Sequence, residues 1–346
     1  MRALVTGGAG FIGCNLVDRL CRDGHDVVLL DDLTRPGSAL NLEWLGGLHG
    51  HRAFDSIEGD VRDPDVVDRA TADVDAIFHL AGQTAVTTSI RDPIGDHDAN
   101  VLGTLNVLEA ARGRETPPIV VYASTNKVYG DLEDQEIVEE STRYVLPGLP
   151  HGIPETAALG FTSPYACSKG AADQYVLAYA DTYGLPAVSF RQSCIYGPRQ
   201  MGVEDQGWAA WLVLAATLGR PVTIYGNGKQ VRDLLYVDDL VDAYLAVVAA
   251  ISQTSGRAYN IGGGPDFAVS IWREFSELLR ELGHEPPDVA FGPARQGDQR
   301  VYVSDTRRAT ADFGWRPAVP PGEGLARLTD WIAAAAPTLD PLLAGR

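Results

Sequence analysis

The sequence predicts an α/β fold of Rossmann type: a doubly wound parallel sheet with a smaller, discontinuous α/β substrate-binding part. Three observations predict it. Short β-rich runs alternate with amphipathic helical stretches through the first half of the chain, the pattern of successive βαβ units. A glycine-rich stretch, Gly7-Gly8-Ala9-Gly10-Phe11-Ile12-Gly13, directly follows the first of those runs and opens a helix. Later runs end in acidic or small residues, as strands do where a sheet opens onto a ligand crevice.

Taken in order, strands are predicted over Ala3 to Thr6, Asp26 to Leu30, Ser56 to Gly59, Ala76 to Leu80, Ile119 to Ala123 and Ala187 to Arg191. Helices are predicted over Gly13 to Arg22, Asp65 to Ala70, Asn100 to Arg112 and Ser168 to Tyr183. The second half is less regular, with glycine and proline clustered at Tyr196 to Gly202, Gly219 to Gly228 and Gly262 to Asp266. Ala258 to Ile261 reads as one more strand returning to the main sheet. Val241 to Ile251 is apolar, but Asp242 and its short length make it a buried helix and not a membrane span. From Phe267 onward helices mix with loops, and the last helix holds the short alanine run Ala333 to Ala336. These features divide the chain into a dinucleotide-binding part, 1–193 plus 229–263, and a substrate-binding part, 194–228 plus 264–346.

Composition narrows the class. The 346 residues are 45% hydrophobic and 21% charged, ordinary for a globular protein with a large core. Asp and Glu number 46 against 28 Lys and Arg, and the resulting net charge of −18 argues against nucleic acid or an anionic membrane as partner. Any bound phosphate then needs a local basic pocket. Cys14, Cys21, Cys167 and Cys194 show no CxxC spacing, and the histidines form no HxxxH pair, so no metal site is expected. A first strand entered at Arg2 leaves no room for a signal peptide, and the expectation is a reduced, cytoplasmic protein.

Glycines in the first turn allow close approach of the backbone to a pyrophosphate, and the helix N-terminus adds a favourable dipole. Asp31 follows at the spacing of a ribose-binding acid, where a carboxylate repels a 2′-phosphate; NAD is therefore favoured over NADP. Asp60-Val61 and Leu80-Ala81-Gly82 end the next two strands on the same crevice. Arg35 reads as a surface loop charge.

The reaction chemistry lies in two stretches. Ile119 to Ser124 ends as a buried strand ends, in small hydroxylic residues, and runs into Thr125-Asn126-Lys127. That tripeptide offers a hydroxyl but no carboxyl. Tyr165-Ala166-Cys167-Ser168-Lys169 sets a phenol and an ammonium on one face of a helix start. A tyrosine titrates near ~10 in water, and a nearby ammonium together with a positive nicotinamide is expected to lower that value. Tyr165 then takes a hydroxyl proton, Lys169 also holds the nicotinamide ribose, and Thr125, with Ser124 as second hydroxyl, bonds the reacting oxygen.

With these motifs the chain resembles the extended short-chain dehydrogenase/reductases that act on nucleotide sugars, from Gly7 to about Trp331. The resemblance implies a cofactor set of Gly7, Gly10, Phe11, Ile12, Gly13, Asp31, Asp32, Asp60, Val61, Leu80, Ala81, Gly82 and Asn100, completed by Tyr165 and Lys169. Sugar 4,6-dehydratases of this family carry Asp-Glu where this chain has Asn126-Lys127, and decarboxylases typically keep the Glu. More narrowly, Ser124 to Asp131, Ser163 to Tyr175, Asp205-Gln206-Gly207-Trp208 and Gly226 to Asp233 are similar to the CDP-paratose (CDP-tyvelose) 2-epimerase group. That group tends to carry His and Ser where Gln192 and Cys194 stand. The implied reaction is oxidation of a ring carbon with NAD, rotation of the keto sugar, and return of hydride to the other face. The rivals are UDP-sugar 4-epimerisation, a dehydratase or decarboxylase, and a non-catalytic NAD-binding protein.

The resemblance places phosphate and ribose contacts at Arg232 and Arg295, the latter ahead of Asp298, with Arg199 a weaker candidate. Thr87, Ser89, Ser124, Asn126, Gln192, Cys194, Gln206 and Trp208 complete the expected substrate contacts, with Trp208 equally readable as a core aromatic and Ser89 as the end of a helix or loop. A homodimer or higher homo-oligomer is implied through the helices at Asn100 to Arg112 and Ser168 to Tyr183.

Overall fold

The computed structural model describes residues 1–202, 206–295 and 297–344, with side chains described through residue 339. Seven strands form the main sheet: β1 (Arg2–Thr6), β2 (Asp26–Asp31), β3 (Asp55–Glu58), β4 (Ala76–His79), β5 (Ile119–Thr125), β6 (Ala187–Gln192) and β7 (Arg257–Ile261). Their order is β7-β6-β5-β4-β1-β2-β3. All pairings are parallel. The order reverses between β1 and β4, and a crevice at such a switch point receives the ligand in open α/β sheets. β4 and β6 are buried along their whole length, which explains runs apolar on both faces and not alternating.

Helices cover both faces. Leu16 and Leu20 of α1 (Phe11–Arg22) pack with Val5, Phe78 and Phe190 on one side. On the other, Val107 and Leu108 of α2 (Gly103–Arg112) and Val176 of α3 (Pro164–Tyr183) pack with Leu4, Ile77 and Val120. Helix α3 starts at Pro164, ahead of the expected Ser168. The Ser163 hydroxyl accepts from the Ala166 amide at 3.1 Å, and Pro164 fits the first helical turn. Gly184, at φ 69°, ends it. The expected helix from Asn100 is α-helical only from Gly103; Asp98–Leu102 forms a π-turn ahead of it. Such turns collect at functional sites.

One boundary is corrected. Val231–Tyr236, expected within the dinucleotide-binding part, pairs with Cys194–Tyr196, Ala268–Ser270 and Val301–Tyr302 in a second sheet. A fully buried strand reads the same whichever sheet it joins, so its sequence did not assign it. The chain then returns through α4 (Val237–Ala249) to β7. A separate core of Leu212, Val213, Phe275, Leu325 and Leu328 supports this second region. Among the described residues, no helix is long and apolar enough to cross a membrane.

Candidate active site

The carboxyl ends of β1, β2, β4, β5 and β6 open onto one cavity of about 600 Å³. Its floor is backbone. A Cβ on Gly7, whose φ is +67°, would lie 2.8 Å from the Ala81 amide nitrogen, and one on Gly13 would lie 2.1 Å from the Gly7 carbonyl oxygen. At the end of β2, Asp31 Oδ2 accepts from the Ala9 amide at 3.0 Å and Oδ1 from the Leu33 amide at 2.9 Å. Burial raises the Asp31 pKa, against the pull of these bonds. Asp60 is held below the usual carboxylate range by its bond to Arg62. The Oδ1 of Asn100 and the hydroxyl of Ser124 are buried polar atoms with no hydrogen-bond partner. A Cβ on Gly82 would sit 2.5 Å from that Asn100 oxygen. A glycine floor at a helix start, an acid at the ribose position and unsatisfied polar atoms beside the opening fit a dinucleotide.

Thr125 ends β5 opposite Gln192 of β6, and Tyr165 stands in the first turn of α3. The Thr125 hydroxyl acts on the Tyr165 phenol, favouring its ionised form. One turn further, the buried Lys169 ammonium lies 4.3 Å from the Tyr122 ring centroid. Burial pulls Lys169 down to about 7, while Asp173 and Asp96 resist. Burial likewise pushes Tyr165 up to about 12, against the Thr125 bond and the Arg35 charge. The expected lowering of Tyr165 is therefore corrected for the chain alone. Desolvation outweighs the neighbouring cations, and a further positive charge is needed before the phenol works as a base near neutrality.

The cavity wall contains Gly7, Gly10, Phe11, Ile12, Gly13, Asp31, Asp32, Asp60, Val61, Leu80, Ala81, Gly82, Ser124, Thr125, Tyr165, Lys169, Gln192, Cys194, Gln206 and Trp208. The Trp208 indole donates to Cys194 Sγ at 3.3 Å, and the Gln192 amide donates to the Tyr244 hydroxyl. Arg35 is also in the wall, where it bonds Thr84 at 2.8 Å and Gln206. It is exposed on a loop, as expected, and its bonds also bridge two edges of the opening. Arg199 lines the wall too, its guanidinium 4.1 Å from the Trp44 ring centroid.

Several expected contacts lie elsewhere. Thr88, and not Thr87, reaches the wall. Ser89 is fully buried and accepts the Tyr165 amide at 3.1 Å, so it braces the start of α3. Asn100 stands behind Gly82 and donates to Asp96 and Ser168. Asn126 turns to Gln299, a residue that no motif marked. Arg232 donates to Asp298 Oδ1 at 2.7 Å, and the Lys127 ammonium lies 3.4 Å from the same oxygen. Burial pushes Asp298 up, but Arg232 and Lys127 hold it below the usual range. Arg295 stacks on Tyr225 at 3.8 Å from the ring centroid. Arg232, Arg295 and Asp298 thus lie outside the wall around the glycine floor. Asp205 lies outside the described residues. Among the described residues, no group of His, Cys, Asp or Glu is arranged to hold a metal.

Fold and site define a dinucleotide-binding α/β protein with a tyrosine, a lysine and a threonine in the wall of its crevice. The chain belongs to the NAD dependent epimerase/dehydratase family, whose model matches residues 3–262, and NAD is its cofactor. It is 42% identical to CDP-paratose 2-epimerase of Salmonella typhi, over 96% of this chain and 100% of that one. It is 35% identical to UDP-glucose 4-epimerase of Mycolicibacterium smegmatis, over 96% and 98%. A UDP-glucose 4-epimerase from Thermus thermophilus, solved in complex with NAD, superposes with a TM-score of 0.79 at 32% identity, covering 97% of this chain and 100% of that one.

Proposed function

We propose that this protein epimerises a nucleotide-diphosphate sugar by oxidising and re-reducing one ring carbon, with C2 of a CDP-paratose or CDP-tyvelose-type sugar as the centre inverted. One observation carries the reading: Thr125, Tyr165 and Lys169 assemble complete hydroxyl chemistry, while Asn126 and Lys127 beside them supply no carboxyl. Elimination of water, which the dehydratases of this fold run with Asp-Glu at those positions, has no acid there. Thr125 bonds the reacting oxygen, and Tyr165 takes its proton and later returns it to the same oxygen. Lys169 supplies positive charge behind the phenol. Bound NAD provides the two-electron acceptor that no side chain offers. The relative of 42% identity favours CDP and C2 over the UDP-linked 4-epimerisation named for the relative of 35% identity. A non-catalytic role is disfavoured because Thr125, Tyr165 and Lys169 are all retained in the sequence and both of these relatives are named as epimerases.

The test is incubation with CDP-paratose, UDP-glucose and a GDP-sugar, with products read by NMR. Inversion at C2 of the CDP-sugar supports the reading, and turnover of UDP-glucose alone sinks it. A homodimer is part of the proposal, supported by exposed Leu102, Tyr175 and Tyr183 next to or on α2 and α3; a monomer by light scattering overturns it. The free state of all four cysteines supports a cytoplasmic setting.

A further inference from the structure

Asp96 is a buried carboxylate that the chemistry above does not use. It is 1% exposed, sits in the short helix Pro93–His97 and reaches the cavity wall. Its oxygens meet neutral donors: Oδ1 accepts from the Gln83 amide at 2.6 Å and the Asn100 amide at 3.2 Å. Oδ2 accepts from the Ser168 hydroxyl at 2.6 Å. Ser168 stands between Tyr165 and Lys169 on α3, and its Oγ also lies 3.1 Å from the Tyr165 carbonyl oxygen. The π-turn at Asp98–Leu102 carries Asn100 into this cluster. A buried carboxylate held only by neutral donors is costly, and an apolar side chain would pack such a place at less cost.

The charged and titratable groups around it are few. Its charge acts on Tyr165 and Lys169 of α3 and on Tyr122 of β5, while Arg35, on the loop after β2, acts on Tyr165. Asp173, further along α3, is paired with Arg191 at 2.8 Å. His79, behind Lys169, is neutral through burial. On its own and the preceding helix, His97 pairs with Asp98, Asp92 caps, and Arg91 is exposed.

We infer that Asp96 is a positioning residue for the Tyr165–Lys169 pair: through Ser168, Asn100 and Gln83 it fixes the first turn of α3, and its charge keeps the Lys169 ammonium protonated in a buried wall. The inference rests on the reading of Tyr165 and Lys169 as the reaction pair. The carboxylate raises the pKa of both partners, opposing the effect of burial on Lys169 and adding to it on Tyr165. Asp96→Asn keeps the shape and removes the charge. Both limbs of the pH–rate bell, which belong to the Tyr165–Lys169 pair together, then move to lower pH by about half a unit or more. A residue that only packs would lower the rate at every pH and leave the limbs in place.

The experiment compares kcat/KM against pH for the NAD-loaded wild type and Asp96→Asn, using the CDP-sugar assay, with fold checked by circular dichroism. Two limbs shifted together toward acid support the inference; fixed limbs, or limbs moving apart, overturn it. If Asp96→Asn fails to fold or to retain NAD, Ser168→Ala and Gln83→Ala carry the test. Each should cost several-fold in kcat with NAD content and KM intact, and wild-type kcat in both overturns the inference. An active Tyr165→Phe sinks the reaction pair itself, whereas an inactive one beside unmoved limbs sinks only the role of Asp96.

Discussion

The side chains of Asn126 and Gln299 are bonded to each other, the Asn126 amide donating to Gln299 Oε1 over 3.2 Å. The amide of Gln299 in turn donates to the carbonyls of Gly130 at 2.6 Å and Asn126 at 3.4 Å. One buried glutamine from a distant loop therefore clamps the turn that follows Thr125. Asn126 Oδ1 also accepts the Thr125 hydroxyl at 3.3 Å, so the clamp reaches the reacting group. Gln299→Leu should cost about 1–3 kcal/mol of stability through the carbonyls it leaves unpaired. It should lower kcat at least roughly tenfold through misplacement of Thr125, with NAD content unchanged. Thermal unfolding and product NMR check both; wild-type kcat would mean that Thr125 is held without the clamp.

Tyr165→Phe removes the proton acceptor and little else. The ring stays packed in the first turn of α3, and the Lys169 ammonium keeps its place over Tyr122. NAD should copurify as in the wild type while epimerisation falls by about 10² to 10⁴. With no phenol left to ionise at this position, the residual activity should not recover toward pH 9 as it would if another base had taken over. An unchanged rate would remove Tyr165 from the chemistry.

The main sheet was legible because its strands are short apolar runs closed by punctuating residues, and every such run became a strand. Tyr165 and Lys169 were legible through a spacing that any helix keeps on one face, and Asp31 through its distance from the glycine turn. Asp96, Gln83 and Gln299 carried no such signal. Each is a lone polar residue whose burial comes from segments distant in sequence, and no local period reports that. Arg232 and Asp298 were reached by likeness to a family, yet their bond to each other and to Lys127 is a tertiary fact. The Val231–Tyr236 strand was misassigned because burial on both faces hides which sheet a strand joins.

His79 gives the fold an acid limit. It ends β4 buried, with Nδ1 2.7 Å from the Thr6 hydroxyl and Nε2 3.0 Å from that of Thr104. The Thr104 hydroxyl already donates to the Asn100 carbonyl at 2.6 Å, so Nε2 carries the proton and Nδ1 accepts from Thr6. This neutral ring is fully satisfied, and burial first, then Lys169, lowers its pKa to about 3. The unfolded ring, near ~6.5, binds its proton first as pH falls. The stability contributed is complete above ~6.5 and is lost as pH drops toward 3, at up to about 1.4 kcal/mol per pH unit. His79→Asn should be less stable at pH 8 yet flatter between pH 6.5 and 4.5 in urea titrations. An equal slope in both proteins would place the acid sensitivity elsewhere.

Asn126 and Lys127 set a limit on where hydrogen travels. Inversion by proton abstraction from carbon needs a second general acid or base near the ring, and exchange with water would then mark the product. The Asn126 side chain is tied to Gln299 and Thr125, and the Lys127 ammonium to Asp298 and the Gly297 carbonyl. Neither is a free carboxyl, and Tyr165 handles only the proton on oxygen. Turnover in D₂O should therefore leave the inverted carbon unlabelled by NMR and mass spectrometry, even after many cycles. Lys127→Glu is the informative contrast. It sets a second carboxylate against Asp298, breaks the shared contact with Arg232 and should raise KM for the sugar nucleotide. Because a glutamate alone does not restore the Asp-Glu arrangement of the dehydratases, no water loss is expected from it. Deuterium at the inverted carbon of the wild-type product would mean that a base other than Tyr165 reaches the ring, and the oxidation–reduction route would fall.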